Sequence, residues 1–134
     1  MAFAIKTEIR NPRAKVFTFT AQKTMYGGKH IAADDIVFVF ASEGGSGLIA
    51  RAIVASADAT PRKVGVIRQT PRVSITVRRT ASAARLLGRD QLKRFKDWGD
   101  GRPETELNFK FYRQATNKIV GISDETAALL ERFF

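Results

Sequence analysis

At 134 residues the chain has room for one domain with one apolar core, and a composition 44% hydrophobic and 27% charged is that of a folded globular protein. It has no cysteine, which excludes disulfides, thiol nucleophiles and thiolate metal sites and suits a reducing cytoplasm. The net charge of +10 rests on residues 61–96, which hold eleven basic residues against one acid, Asp90. Such a basic middle attracts a polyanion by counterion release, nucleic acid before anionic lipid, unless it is merely a solvated face.

In chain order, the opening Met-Ala-Phe-Ala-Ile-Lys is a short apolar patch cut off at once by Lys6, Glu8 and Arg10, without the h-region of a signal peptide. Residues 15–20 alternate as a strand with Phe17 and Phe19 inward. Tyr26-Gly27-Gly28 is a turn signal. Residues 36–41 form a β-branched and aromatic run, expected as a strand buried on both faces and far too short to span a bilayer. A glycine-rich loop, 43–47, joins it to a return strand over 48–57. Residues 72–79 alternate cleanly, with Val73, Ile75 and Val77 inward and Arg72 and Arg78 outward.

Residues 83–98 read as a helix broken near Gly88, on which Arg85, Arg89, Lys93 and Lys96 make a basic stripe. Residues 108–112 read as a strand with Phe109 and Phe111 inward, and 118–122 as a last short strand. Ser123 is placed to cap a terminal helix whose first turn carries Asp124 and Glu125. Strands, a middle helix, strands and a final helix give an α+β fold, a mixed β-barrel in one domain with its core at about residues 15–134.

Catalytic chemistry is hard to assemble from these residues. His30 is the only histidine and sits in a loop. Asp34 and Asp35 are adjacent and point to opposite sides, as turn residues do. Glu104 and Glu106 share a face but have no third acid or histidine beside them, so no metal is expected. The loop at Gly44-Gly45-Ser46-Gly47 lacks the lysine of a P-loop and joins two strands rather than a strand and a helix. The chain reads as a binding module, not an enzyme, and no cofactor is expected.

Two stretches carry a family resemblance. Ile31-Ala-Ala-Asp-Asp-Ile-Val-Phe-Val-Phe-Ala-Ser-Glu43, followed by Gly47-Leu-Ile-Ala-Arg-Ala-Ile-Val54, resembles the core pattern of the PUA-like superfamily, with Asp34-Asp35 where that pattern has Gly-Asp. Tyr112-Arg-Gln-Ala-Thr-Asn-Lys-Ile-Val-Gly-Ile-Ser-Asp-Glu125 resembles the closing segment of its EVE branch, whose relatives include the ASCH and YTH domains. The resemblance implies a five- to six-stranded pseudobarrel with peripheral helices that binds nucleic acid, DNA or RNA, and takes a single, often modified, base between aromatic side chains. An extruded base loses stacking and pairing, which aromatic faces and edge hydrogen bonds must replace.

On that reading the pocket candidates are Tyr26, Ser42, Glu43, Trp98, Arg113 and Gln114. Trp98 fits a stacking plane or, equally, a cap on the core against Leu92 and Phe95. Tyr26 fits a base platform or a turn packer. The phosphate-contacting candidates are Arg72, Arg78, Arg79, Arg85, Arg89, Lys93 and Lys96. Two rivals remain: a protein-interaction or antitoxin-like module with a basic docking face, and an ASCH-like enzyme acting on nucleic acid.

Overall fold

The computed structural model describes residues 1–43, 47–113 and 117–134. Its centre is a closed six-stranded barrel of β1 (Ala2–Thr7), β2 (Val16–Met25), β3 (Ile36–Ala41), β4 (Gly47–Ala59), β5 (Arg72–Ser82) and β6 (Ile119–Ile122), in the spatial order β1-β3-β4-β5-β2-β6. The pairs β1–β3 and β2–β6 are parallel and the other four antiparallel, so the barrel is mixed as expected. Period-two alternation fills the interior: Phe17 and Phe19 from β2 and Val73, Ile75 and Val77 from β5 point inward with Phe3, Ile5, Val37 and Val39. The ring closes through a short β2–β6 junction, Thr24 paired with Ile119 and Met25 with Val120.

Outside the barrel lie three short helices, α1 (Arg89–Leu92), α2 (Pro103–Leu107) and α3 (Asp124–Glu131), with a π-helical turn, Asn108–Arg113, continuing α2. They cover one outer face and make a second apolar layer of Ala4, Phe38, Phe40, Leu92, Leu107, Phe111, Val120 and Leu130. This layer is why β3 is apolar without alternation: Val37 and Val39 enter the barrel while Phe38 and Phe40 meet the helices. Ser123 caps α3, its hydroxyl accepting from the Thr126 amide at 3.1 Å.

Three expectations are corrected. The first residues are β1, paired with β3 on one side and β6 on the other, so the core reaches well before residue 15. The 83–98 segment is not a long helix; only Arg89–Leu92 is helical. Its earlier amides donate to distant carbonyls, Ala83 to Ile49 and Ala84 to Phe133, so the segment follows the barrel and the stripe of Arg85, Arg89, Lys93 and Lys96 does not form on one helical face. Residues 108–112 are not a strand. Pro103 starts a helix at the position that needs no amide donor. The coil carries on through Asn108–Arg113, burying Leu107 and Phe111 at i, i+4 while Phe109 turns toward Trp98.

Candidate nucleic-acid interface

Parallel strands β1 and β3 end side by side at Thr7 and Ala41, and the Ser42 amide donates to the Thr7 carbonyl at 2.9 Å. There β4 begins at Gly47, whose φ of +63° and close approach to the Leu87 carbonyl admit no Cβ. The Leu48 amide donates to that carbonyl at 2.9 Å, which draws the start of α1 against the strand ends. The result is a cavity of about 280 Å³ lined by Lys6, Ala41, Ser42, Gly47, Arg89, Asp90 and Tyr112.

Lys6 is the unusual member. Alternation in β1 sends Phe3 and Ile5 into the barrel and Lys6 to the helical side, where it is buried. Its Nζ donates to the Phe111 carbonyl at 2.6 Å and lies 4.7 Å from the centroid of the Tyr112 ring. Burial, with the Arg89 charge adding to it, holds the Lys6 amine below its ordinary pKa. Burial also raises the Tyr112 phenol, against a smaller opposing effect of Arg89. The cavity therefore offers two cations, an aromatic wall, a hydroxyl and, at its mouth, the exposed Asp90 carboxylate.

A second, shallower cleft of about 240 Å³ is lined by Trp98, Gly101, Arg102, Thr105, Glu106, Phe109 and Lys110. Trp98 is 43% exposed, which removes it from the core, and meets Phe109 edge-on at 5.5 Å with the Arg113 guanidinium 5.7 Å from its centroid. Lys110 bonds Glu106 at 3.0 Å and the Gly121 carbonyl at 2.7 Å, with its Nζ 4.6 Å from the Tyr26 ring centroid. Glu106 also accepts from the Ser123 amide and hydroxyl and from the Thr126 hydroxyl. Burial pushes its carboxyl up, but the bonds from Ser123, Lys110 and Thr126 prevail and hold it below the ordinary glutamate value. Glu106 thus knits α2 to the start of α3.

The predicted pocket residues do not converge on one cavity. Ser42 lines the first, with the exposed Glu43 next in sequence. Trp98 and Arg113 stand at the second, and Tyr26 sits across Lys110 from it. Gln114, like Gly44, Gly45 and Ser46, lies outside the described residues.

Of the basic candidates, Arg72 and Arg78 are exposed on β5, Arg89 borders the first cavity, and Lys93 and Lys96 are exposed, Lys93 being 4.0 Å from Asp90. Arg79 is engaged in the fold, donating to the carbonyls of Pro12, Ala14 and Ile49 and to the Ser82 hydroxyl, with its guanidinium over Phe17. Arg85 is similarly held, by the Arg132 carbonyl and the Phe133 ring.

His30 is exposed at the end of a 3₁₀ turn, and the Asp35 carboxylate accepts from the Ala32 amide at 2.9 Å, as a turn residue does. Asp34 has φ +75°, at the place where the PUA-like pattern has glycine. Lys6 and Tyr112 were not singled out from sequence as lining residues. The available signal was a lysine on the same alternation face as Ala2 and Ala4, a costly position unless the amine has partners.

No family model matches the chain, and no curated protein is significantly similar to it in sequence. Solved structures are similar in fold. The human THYN1 protein in complex with 5-methylcytosine-containing DNA superposes with a TM-score of 0.65 at 11% identity, over 96% of this chain and 94% of that one. The DUF55 domain of human thymocyte nuclear protein 1 gives 0.64 at 10% identity over 96% and 95%. ASCH from Zymomonas mobilis gives 0.55 at 11% over 98% and 94%. The likeness is one of fold: this chain shares its barrel architecture with the DUF55 domain of thymocyte nuclear protein 1 and with ASCH from Zymomonas mobilis.

Proposed function

We propose that this chain is a nucleic-acid-binding module that takes one extruded, modified base into the cavity at the ends of β1 and β3. The observation that carries the reading is the cavity's make-up: Tyr112 as aromatic wall, Lys6 and Arg89 as cations, Ser42 and Asp90 as hydrogen-bonding groups. Its volume lies near the lower bound of small-molecule sites, about 300 Å³, which suits one base rather than a run of nucleotides. The grouping favours a cytosine-like edge: a carboxylate accepts from an exocyclic amine, and cations donate to ring nitrogen and carbonyl oxygen. The methylcytosine DNA held by the THYN1 protein is in keeping with this. Exposed Arg72, Arg78, Lys93 and Lys96 supply phosphate contacts, which add affinity without sequence preference.

The test is competition. A labelled oligonucleotide carrying one methylated cytosine should be displaced by the free modified nucleoside more effectively than by the unmodified one. Equal displacement by both would remove the modified base from the reading. A second reading, an ASCH-like enzyme acting on nucleic acid, draws on the desolvated Lys6 amine in the same cavity. Turnover of a nucleotide or oligonucleotide, lost in Lys6→Arg, would decide for it.

A further inference from the structure

The β4–β5 hairpin runs past its last strand pairing into a loop, residues 60–71, whose side chains the barrel does not use. Val64 and Ile67 at its tip are 102% and 90% exposed, and Val66 is 45% exposed. The loop is nevertheless built. The Gln69 side chain accepts from the Lys63 amide at 3.1 Å and donates to the Lys63 carbonyl at 2.9 Å. Arg62 donates to the Ile67 carbonyl at 3.1 Å, and Gly65 turns the chain with φ +83°. At the base, the Thr24 hydroxyl donates to the Pro71 carbonyl at 2.8 Å.

Side chains thus take up backbone groups that solvent would otherwise serve, and the aliphatic residues are left facing out. Three aliphatic side chains held clear of the core on an internally braced loop make an exposed apolar patch, the kind of surface that marks an interaction site.

Charge identifies the partner. Arg62, Lys63 and Arg68 flank the three aliphatic side chains, Arg72 follows at the start of β5, and no acid occurs from residue 59 to residue 89. An aliphatic point ringed by cations matches duplex nucleic acid, where such residues enter a base step while cations hold the flanking phosphates. The tip has no Trp, Tyr or Phe, the residues that anchor a protein at a lipid interface.

We propose that the 60–71 tip is a wedge that inserts Val64 and Ile67 into a base step of double-stranded nucleic acid. The wedge lowers the cost of extruding a base by unstacking a step. It rests on the nucleic-acid reading above but uses no residue of the base cavity.

The experiment uses the double variant V64S/I67S, whose sites are too exposed for the core to depend on them, so its melting temperature should match wild type. Three ligands are compared: a duplex carrying a fluorescent purine analogue that brightens on unstacking, the same strand alone, and vesicles of phosphatidylcholine and phosphatidylserine. The expected result is an affinity for the duplex about tenfold or more weaker, loss of the fluorescence rise, and unchanged single-strand binding. Unaltered duplex affinity and fluorescence would overturn the wedge. So would vesicle binding that the variant abolishes while duplex binding persists, or a wild-type dimer that the variant turns into a monomer. The base cavity is read separately, by discrimination between methylated and unmethylated duplex, which V64S/I67S should leave intact.

Discussion

Tyr112→Leu tests whether the base sits in the cavity at the ends of β1 and β3. Leucine keeps aliphatic bulk against the second core but removes the aromatic plane that faces the Lys6 ammonium, 4.7 Å from the ring centroid. Without a stacking partner, binding weakens by about 1–3 kcal/mol, roughly a 5- to 150-fold rise in Kd for the methylated oligonucleotide. The unmethylated one, held mainly through phosphates, should change far less, so discrimination between the two collapses. Stability should fall modestly, since the cation–π interaction contributes about 0.5–2 kcal/mol and the edge-on packing with Phe111 at 6.5 Å about as much. The assay is fluorescence anisotropy on two oligonucleotides differing by one methyl group, with melting temperatures in parallel. Trp98→Ala is the control: it removes the 5.5 Å ring packing with Phe109 at the other cleft and should leave discrimination intact. Discrimination that survives Tyr112→Leu and vanishes in Trp98→Ala would refute the cavity and move the base to the second cleft.

Replacing exposed Arg72 and Arg78 with Glu should weaken binding to all sequences about equally and lower the log–log salt slope by roughly 0.7–0.9 for each phosphate no longer neutralised; an unchanged slope in a salt titration counts against these two arginines as phosphate ligands. Glu106→Gln should cost about 2 kcal/mol near neutral pH by denaturant titration, because Ser123, Thr126 and Lys110 no longer share a charged acceptor. The folded carboxyl titrates below its ordinary value, so its stabilisation is complete above the ordinary glutamate range and disappears as pH falls through the folded pKa. The difference between wild type and Glu106→Gln should therefore shrink on acidification; a gap that grows would contradict the sign. Gly47→Ala should destabilise by at least about 1–3 kcal/mol, from its positive φ, with a further penalty as the new Cβ displaces Leu87. Because Leu87 precedes Arg89 at the cavity, oligonucleotide affinity should fall with the melting temperature.

The sequence alone determined whatever depends on local pattern. Alternation in β2 and β5, the unbroken apolar run of β3, the turn after Tyr26 and the Ser123 cap were legible because period and capping chemistry are properties of neighbouring residues. The family resemblance then implied the barrel, and the charge between residues 61 and 96 raised the expectation of a polyanion. Tertiary structure decided the rest. Ala2–Thr7 is a short apolar patch closed by Lys6, without a clean alternation or a β-branched run, and only its pairing with both β3 and β6 makes it a central strand. Phe109 and Phe111 satisfied a strand period by coincidence, while the helix begun at Pro103 carried through them. In residues 83–88, long-range bonds to Ile49 and Phe133 overrode helical spacing. Those non-local pairings also split the anticipated pocket, sending Ser42 to one cavity and Trp98 to another. They drew Lys6 and Tyr112, 106 positions apart, to one wall, a proximity that spacing along the chain does not encode.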